Sequence, residues 1–240
     1  MARRYFARPL PPPGPATLSP RLGHHLGRIV DTRPGTAVVL FDGNGSEVNA
    51  TVIEVRRRDV VLDIGSPVAE PLGRSARMAL DVVVALPKAP RTSWLLEHGT
   101  EAGIRSFRPL VTERARRQAE KHEQWQRTLI AACTQCDRAM LPTIEPTVTI
   151  DELCALTLPA QRFVATFSDI ELGPATADVA MLVVGPEGGL VEHEVARLTA
   201  AGFAPRSLGP LTLRTETAVL AGATRLLQAI GGEPTTPHRQ

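Results

Sequence analysis

From residue 78 onward, short unbroken apolar runs alternate with stretches whose apolar residues recur every three to four positions. Met78–Leu86, Ser106–Val111, Arg162–Thr166 and Val179–Val184 are of the first kind and read as strands buried on both faces. Arg91–Gly103, Glu113–Arg138, Val191–Ala201 and Thr215–Ile230 are of the second kind and read as helices. This alternation predicts an α/β fold with a largely parallel sheet covered by helices. The earlier residues follow another rhythm. Pro20–Val30, with Leu22, Leu26 and Ile29 on one side, predicts a short helix, and Ala37–Phe41, Glu47–Val55 and Val60–Ile64 predict strands. Asp42-Gly43-Asn44-Gly45-Ser46 has the composition of a hairpin loop between the first two strands. Short strands with one helix suggest a small barrel over residues 1–70, and the proline-rich stretch at 9–15 within that range is expected to be extended. The pattern breaks at Ser66–Arg77, which holds Pro67, Pro71 and Gly73. The expected division is therefore a first domain at 1–70, a linker at 71–77, a second domain at 78–232 and a flexible tail at 233–240.

Composition narrows the class without naming a chemistry. The chain has 240 residues, 43% hydrophobic and 22% charged, as expected of a globular protein with a full core. The sequence has neither an apolar run long enough for a membrane span nor an apolar leader, so a cytoplasmic location is expected. Net charge is only +2, yet arginine clusters at Arg3, Arg4 and Arg8, at Arg56 to Arg58, and at Arg114, Arg116 and Arg117. Such clusters create local positive potential suited to phosphate, although single basic residues commonly serve solubility. Cys133 and Cys136 form a C-x-x-C pair inside a helical stretch. Without a second pair at zinc-ligand spacing, they read as helix-packing residues, and no metal is expected. His24 and His25 are adjacent and point to different faces of a helix, which also disfavours a metal site.

The chemistry concentrates in two phrases. Gly185-Pro186-Glu187-Gly188-Gly189-Leu190 follows one buried strand, and Leu208-Gly209-Pro210-Leu211-Thr212-Leu213-Arg214-Thr215-Glu216-Thr217-Ala218 leads into the last helix. The first is not a P-loop, because no Lys-Ser/Thr pair follows, and it does not match the dinucleotide pattern G-x-G-x-x-G. A lone loop of this kind is as readily a tight strand-to-helix turn. Two of them at strand ends, one running into Arg-Thr-Glu, point to a small-molecule site at the carboxyl edge of an open sheet.

These two phrases together resemble the SPOUT superfamily of methyltransferases, and within it the ribosomal RNA small subunit methyltransferase E family, which methylates uridine N3 of 16S rRNA. Other pieces agree in order. His24-His25-Leu26 and Leu40-Phe41-Asp42-Gly43 resemble the family's N-terminal part. Pro87-Lys88, Trp94 and Thr100-Glu101-Ala102-Gly103-Ile104 resemble the start of its catalytic domain, and Gln124-Trp125-Gln126 through Cys133-Thr134-Gln135-Cys136 and Arg138 its long helix. The chain departs from the family pattern at Ala89-Pro90, Ser93, Glu97-His98, Ala102 and Asp137.

The resemblance implies a PUA-like β-barrel followed by a SPOUT α/β domain with a C-terminal trefoil knot, S-adenosylmethionine as methyl donor, 16S rRNA or the small ribosomal subunit as partner, and a homodimer. It implies a donor site built from Val184, Gly185, Pro186, Glu187, Gly188, Gly189, Leu208, Gly209, Leu211, Leu213, Thr215 and Ala218. Arg214 is expected to steady the developing charge or a nearby phosphate. Glu216 is expected to orient Arg214 or accept the N3 proton, or else to be a carboxylate favoured at a helix N-terminus. Glu187 either orients substrate or ties down the knot. Arg3, Arg4, Arg8, His25, Arg28, Lys88, Arg91 and Arg114 are expected along the RNA. Two further readings share these residues: a SPOUT methyltransferase acting on another RNA nucleotide, and an RNA-binding ribosome assembly factor without catalysis.

Overall fold

The computed structural model describes residues 3–18, 33–56, 59–68, 79–115 and 121–227. The chain divides into two compact units, Met1–Ser75 with Glu123–Leu141, and Ala76–His122 with Pro142–Gln240. The predicted helix at Pro20–Val30, the linker at 71–77 and the tail at 233–240 lie outside the described residues.

The first unit is a five-stranded sheet of β1 (Arg3–Phe6), β2 (Gly14–Leu18), β3 (Ala37–Phe41), β4 (Glu47–Val55) and β5 (Val60–Pro67), in the order β1-β3-β4-β5-β2. The pair β1–β3 is parallel and the other pairs are antiparallel. Alternate residues of β3 to β5, among them Val38, Leu40, Val52, Leu62 and Ile64, are buried in one core with Tyr5 and Leu18. Burying each of the larger side chains stabilises the unit by about 1.5–3 kcal/mol. The loop between β3 and β4 has the turn chemistry its composition predicts: Asp42 Oδ1 accepts the N–H of Asn44 at 2.7 Å and of Ser46 at 3.0 Å. That loop also holds a distant segment. Leu141 N–H donates to Gly43 O at 2.9 Å and Gly45 N–H to Ala139 O at 3.2 Å. These bonds carry the end of the α2 segment (helix His122–Gln135) to the first unit. A division drawn along the sequence at 71–77 would leave Glu123–Leu141 with the later residues. The contacts that place it otherwise join residues far apart in sequence, and side-chain periodicity does not register them.

The second unit holds β6 (Ala79–Val84), α1 (Arg91–Glu101), β7 (Ser106–Val111), β8 (Thr143–Ile144), β9 (Val148–Thr149), α3 (Ile150–Ala155), β10 (Gln161–Ala165), β11 (Val179–Val184), α4 (Glu192–Ala200), β12 (Ala204–Arg206) and α5 (Thr215–Leu227). Its seven-stranded sheet runs β12-β10-β11-β6-β7-β8, with β9 also on β7, and every pair is parallel. Consecutive residues of β11 serve opposite faces, as strand geometry requires. Val183 joins the core of Leu153, Leu198 and Phe203 from the α3 and α4 side, whereas Leu182 lies against Gly222 of α5. Helix α5 packs on β6, β11 and α1. Both faces are thus covered, which explains the continuous apolar runs.

The predicted helix over Glu113–Arg138 is shorter. Thr112 and Ala115 exchange backbone hydrogen bonds at 3.0 and 3.1 Å, closing a tight turn, and the helix begins at His122. Within it Trp125, Leu129, Ile130, Ala132 and Cys133 form the buried face. Strands β1, β2, β8, β9 and β12, together with α3, have no counterpart in the apolar pattern. The topology has one consequence for function. After the central strand β11 the chain passes through α4 to β12, outside β10, and then returns to the centre as α5. The segments after β10, β11 and β12 therefore meet at one edge of the sheet.

Candidate functional site

At that edge a cavity of about 340 Å³ is walled by the segment after β11, the segment after β12 and the start of α5. The first wall is Gly185–Leu190. Gly189 N–H donates to Pro186 O at 2.8 Å, closing a turn in which Gly189 adopts φ 72°, a conformation open to glycine without strain. At Gly185 glycine is required by space: a Cβ would lie 2.9 Å from Leu190 Cγ and 3.2 Å from Leu190 N. Several partners tie this wall down. Thr215 Oγ1 donates to Gly185 O at 3.2 Å, Arg114 Nη1 donates to Gly188 O, and Arg91 forms an ion pair with Glu187.

The second wall is Leu208–Leu213. Its start is anchored: Ser207 N–H donates to Ile170 O at 2.8 Å, and Gly209 N–H donates to Ser207 Oγ at 3.1 Å. Its tip is not covered, and Leu211 is 75% exposed while lining the cavity. Helix α5 follows, with Ala218 N–H donating to Arg214 O at 2.8 Å. Thr215 and Ala218 complete the wall. Glu216, in the first turn, is only 6% exposed. One of its oxygens lies 3.8 Å from Arg91 Nη1; the other, Oε2, is buried and has no hydrogen-bond partner among the described residues. A buried carboxylate oxygen left in that state is costly unless something fills it, which makes it a candidate contact for a substrate group or proton.

A family model described as an RNA methyltransferase domain matches residues 74–227. The ribosomal RNA small subunit methyltransferase E of Mycobacterium tuberculosis is 32% identical over 227 residues, covering 85% of this chain and 84% of that protein. The chain belongs to the ribosomal RNA small subunit methyltransferase E family. Among solved structures, a Legionella pneumophila methyltransferase in complex with bound S-adenosylmethionine superposes with a TM-score of 0.83 at 28% identity, covering 95% of this chain and 98% of that one. A Neisseria gonorrhoeae ribosomal RNA small subunit methyltransferase E shares the fold, with a TM-score of 0.80 at 24% identity and 96% and 97% coverage.

In this member of the methyltransferase E family, all of Val184, Gly185, Pro186, Glu187, Gly188, Gly189, Leu208, Gly209, Leu211, Leu213, Thr215 and Ala218 line this cavity. Arg214 does not: it is exposed at the head of α5 and is not among the lining residues. The eight residues expected along RNA separate. Arg4 is withdrawn from that set, because it is 8% exposed, ion-paired with Glu47 and 3.4 Å from Asp137, and stacked over Phe41. It is a fold contact. Arg91 and Arg114 are held at the first wall, and Arg114 lines the cavity. Arg3, Arg8 and Lys88 are exposed, and His25 and Arg28 lie outside the described residues.

Sequence reasoning missed a third wall. Ala165, Thr166 and Phe167, at the end of β10, also line the cavity, with Phe167 75% exposed. No glycine signals them. The rule that ligands sit at the carboxyl ends of parallel strands could have found them, given that β10 pairs with β11. The C-x-x-C pair is resolved by burial, which pushes the Cys133 thiol up to about 12, and its Sγ sits 3.6 Å from Met140 O. That is the environment of a packing residue.

Proposed function

We propose that this chain transfers the methyl group of S-adenosylmethionine to N3 of a uridine in the 16S RNA of the small ribosomal subunit. The observation that supports the reading most directly is the cavity framed by both glycine loops. Its volume falls within the range of small-ligand sites, and leucines with glycine backbone form its walls. These features suit a nucleoside held by apolar faces and close main-chain groups, and the related Legionella methyltransferase binds S-adenosylmethionine. The residues present therefore fit that donor. Gly185, Gly189, Leu208, Gly209 and Leu213 would hold its adenine and ribose. When bound, S-adenosylmethionine supplies an activated methyl group on a sulfonium centre.

The chain's own residues must remove the N3 proton, align the acceptor and balance charge spreading onto the uracil oxygens. Three carboxylates stand on the segments that build the site, and of these only Glu187 lines the cavity. Glu187 is engaged by Arg91, and Glu194 by two backbone N–H groups. Glu216 keeps one oxygen unengaged, which suits the proton-accepting role. Arg214, exposed at the head of α5, stabilises the developing charge. Arg3, Arg8 and Lys88 contribute contacts to the phosphate backbone. We read the five-stranded sheet as a PUA-like barrel, the return of α5 beneath the segment after β12 as a trefoil knot, and the working unit as a homodimer.

Incubation with labelled S-adenosylmethionine and unmodified small subunits, followed by nucleoside analysis, tests the reaction. Label in 3-methyluridine is the expected result. Label in another nucleoside would replace the substrate, and donor binding without transfer would favour an assembly factor.

A further inference from the structure

Glu194 is 5% exposed and is absent from the cavity wall, yet it is bonded to two segments that shape it. Its Oε2 accepts the N–H of Val191, at the end of the first wall, at 2.9 Å. A glutamate three residues into a helix often reaches back in this way, as half of a capping box; valine has no side-chain acceptor to form the other half. Here the second oxygen is used as well. Oε1 accepts the N–H of Glu113 at 2.8 Å. Glu113 belongs to the tight turn Thr112–Ala115, and the next residue, Arg114, donates to Gly188 O in the middle of the wall. One carboxylate thus fixes the end of the glycine loop and the turn whose arginine clasps that loop.

We propose that Glu194 is a positioning residue for the methyl donor, holding the Gly185–Leu190 wall and the Arg114 clasp in register without touching the donor itself. The inference rests on reading the cavity as the donor site. An ionised carboxylate accepts hydrogen bonds at both oxygens, and each is shortened and strengthened by the charge. Glutamine keeps the volume but has a single acceptor oxygen, and its NH₂ would face a backbone N–H. One of the two ties must break, and the wall and the turn come apart.

Donor binding by calorimetry and steady-state kinetics on Glu194→Gln form the test. Losing one charge-assisted bond should raise the donor Kd and KM roughly tenfold. The kcat at saturating donor and the KM for small subunits should stay within about twofold, because the broken hydrogen bond acts on donor binding and not on the chemical step. Arg114→Ala, which removes the clasp from the exposed side, should show the same split, and the double variant should fall short of the summed effects because both changes act through one linkage. Asp151→Asn, which alters the neighbouring exposed pair with Arg197, should leave the donor KM unchanged. Unaltered donor affinity in Glu194→Gln, a loss confined to kcat, or full additivity with Arg114→Ala would overturn the inference. Absence of donor binding by the unsubstituted protein would overturn the donor reading itself, and this inference with it. If Glu194→Gln does not fold, Glu194→Asp, which keeps the charge but shortens the reach to the two N–H groups, takes its place with the same expected and overturning results.

Discussion

The two glycine loops look alike in sequence and differ in how they are held. Gly185–Leu190 is tied by Thr215, Arg114 and Arg91, and its end by Glu194. Leu208–Leu213 is anchored at Ser207 and then opens into an exposed tip, beyond which stand an exposed arginine and a buried, incompletely paired glutamate. A wall fixed in advance can bind a donor without the cost of ordering it. A segment with an exposed Leu211 tip, followed in the next helix by a carboxylate with one oxygen unpartnered among the described residues, is suited to an acceptor that arrives later. On the reaction proposed above, the difference is a division of labour. The first loop gives the donor a fixed wall, and the second adds Leu208, Gly209 and Leu213 to that wall before it leads into Arg214 and Glu216, where the chemistry is proposed.

The largest effect that would break this division is at Glu216. Glu216→Gln is expected to cut methyl transfer by roughly 10²–10⁴, the usual contribution of a proton acceptor, with donor affinity unchanged. Its melting temperature should hold or rise, since the replaced oxygen is buried and unpartnered. A parallel loss of donor affinity would show that Glu216 belongs to the binding wall. Next, Arg214→Ala should lower kcat by about 10²–10³ while the melting temperature stays unchanged, because the side chain is exposed. Unchanged turnover would reject the role.

Gly185→Ala acts on the other loop. Its Cβ collides with Leu190, and the overpacking costs about 1–3 kcal/mol, so donor affinity should fall by about tenfold or more while kcat at saturation is kept. The smallest effect lies in the first unit and serves as a control. Burial raises the Cys133 thiol to about 12, so the folded state retains a proton that the unfolded chain releases near its ordinary value. The associated stability is complete below about pH 8.5 and is lost as pH rises toward that raised value. Cys133→Ala should flatten this alkaline decline in thermal melts, and Cys133 should resist alkylation at pH 8 in the folded protein.

Much of this was legible. Ala37–Phe41, Ser106–Val111 and Val179–Val184 are strands with the bounds their apolar runs indicated, and in the last two the covered faces of the parallel sheet demand unbroken hydrophobicity. Two of the three walls of the cavity were legible because glycine and proline mark where backbone must turn or come close. The rest depends on contacts with no local signal. Arg4 reads as a surface cation until Glu47, 43 residues away, is seen beside it. The helix expected from Glu113 starts at His122, since Thr112 and Ala115 close a tight turn on each other. Phe167 joins the site only because β10 lies next to β11.

Calorimetric titration of S-adenosylmethionine into the unsubstituted protein and Gly185→Ala tests the central claim most directly. The account predicts saturable binding by the first and binding at least about tenfold weaker by the second. No binding by the unsubstituted protein, or equal affinity in both, would contradict the assignment of the cavity between the glycine loops as the donor site.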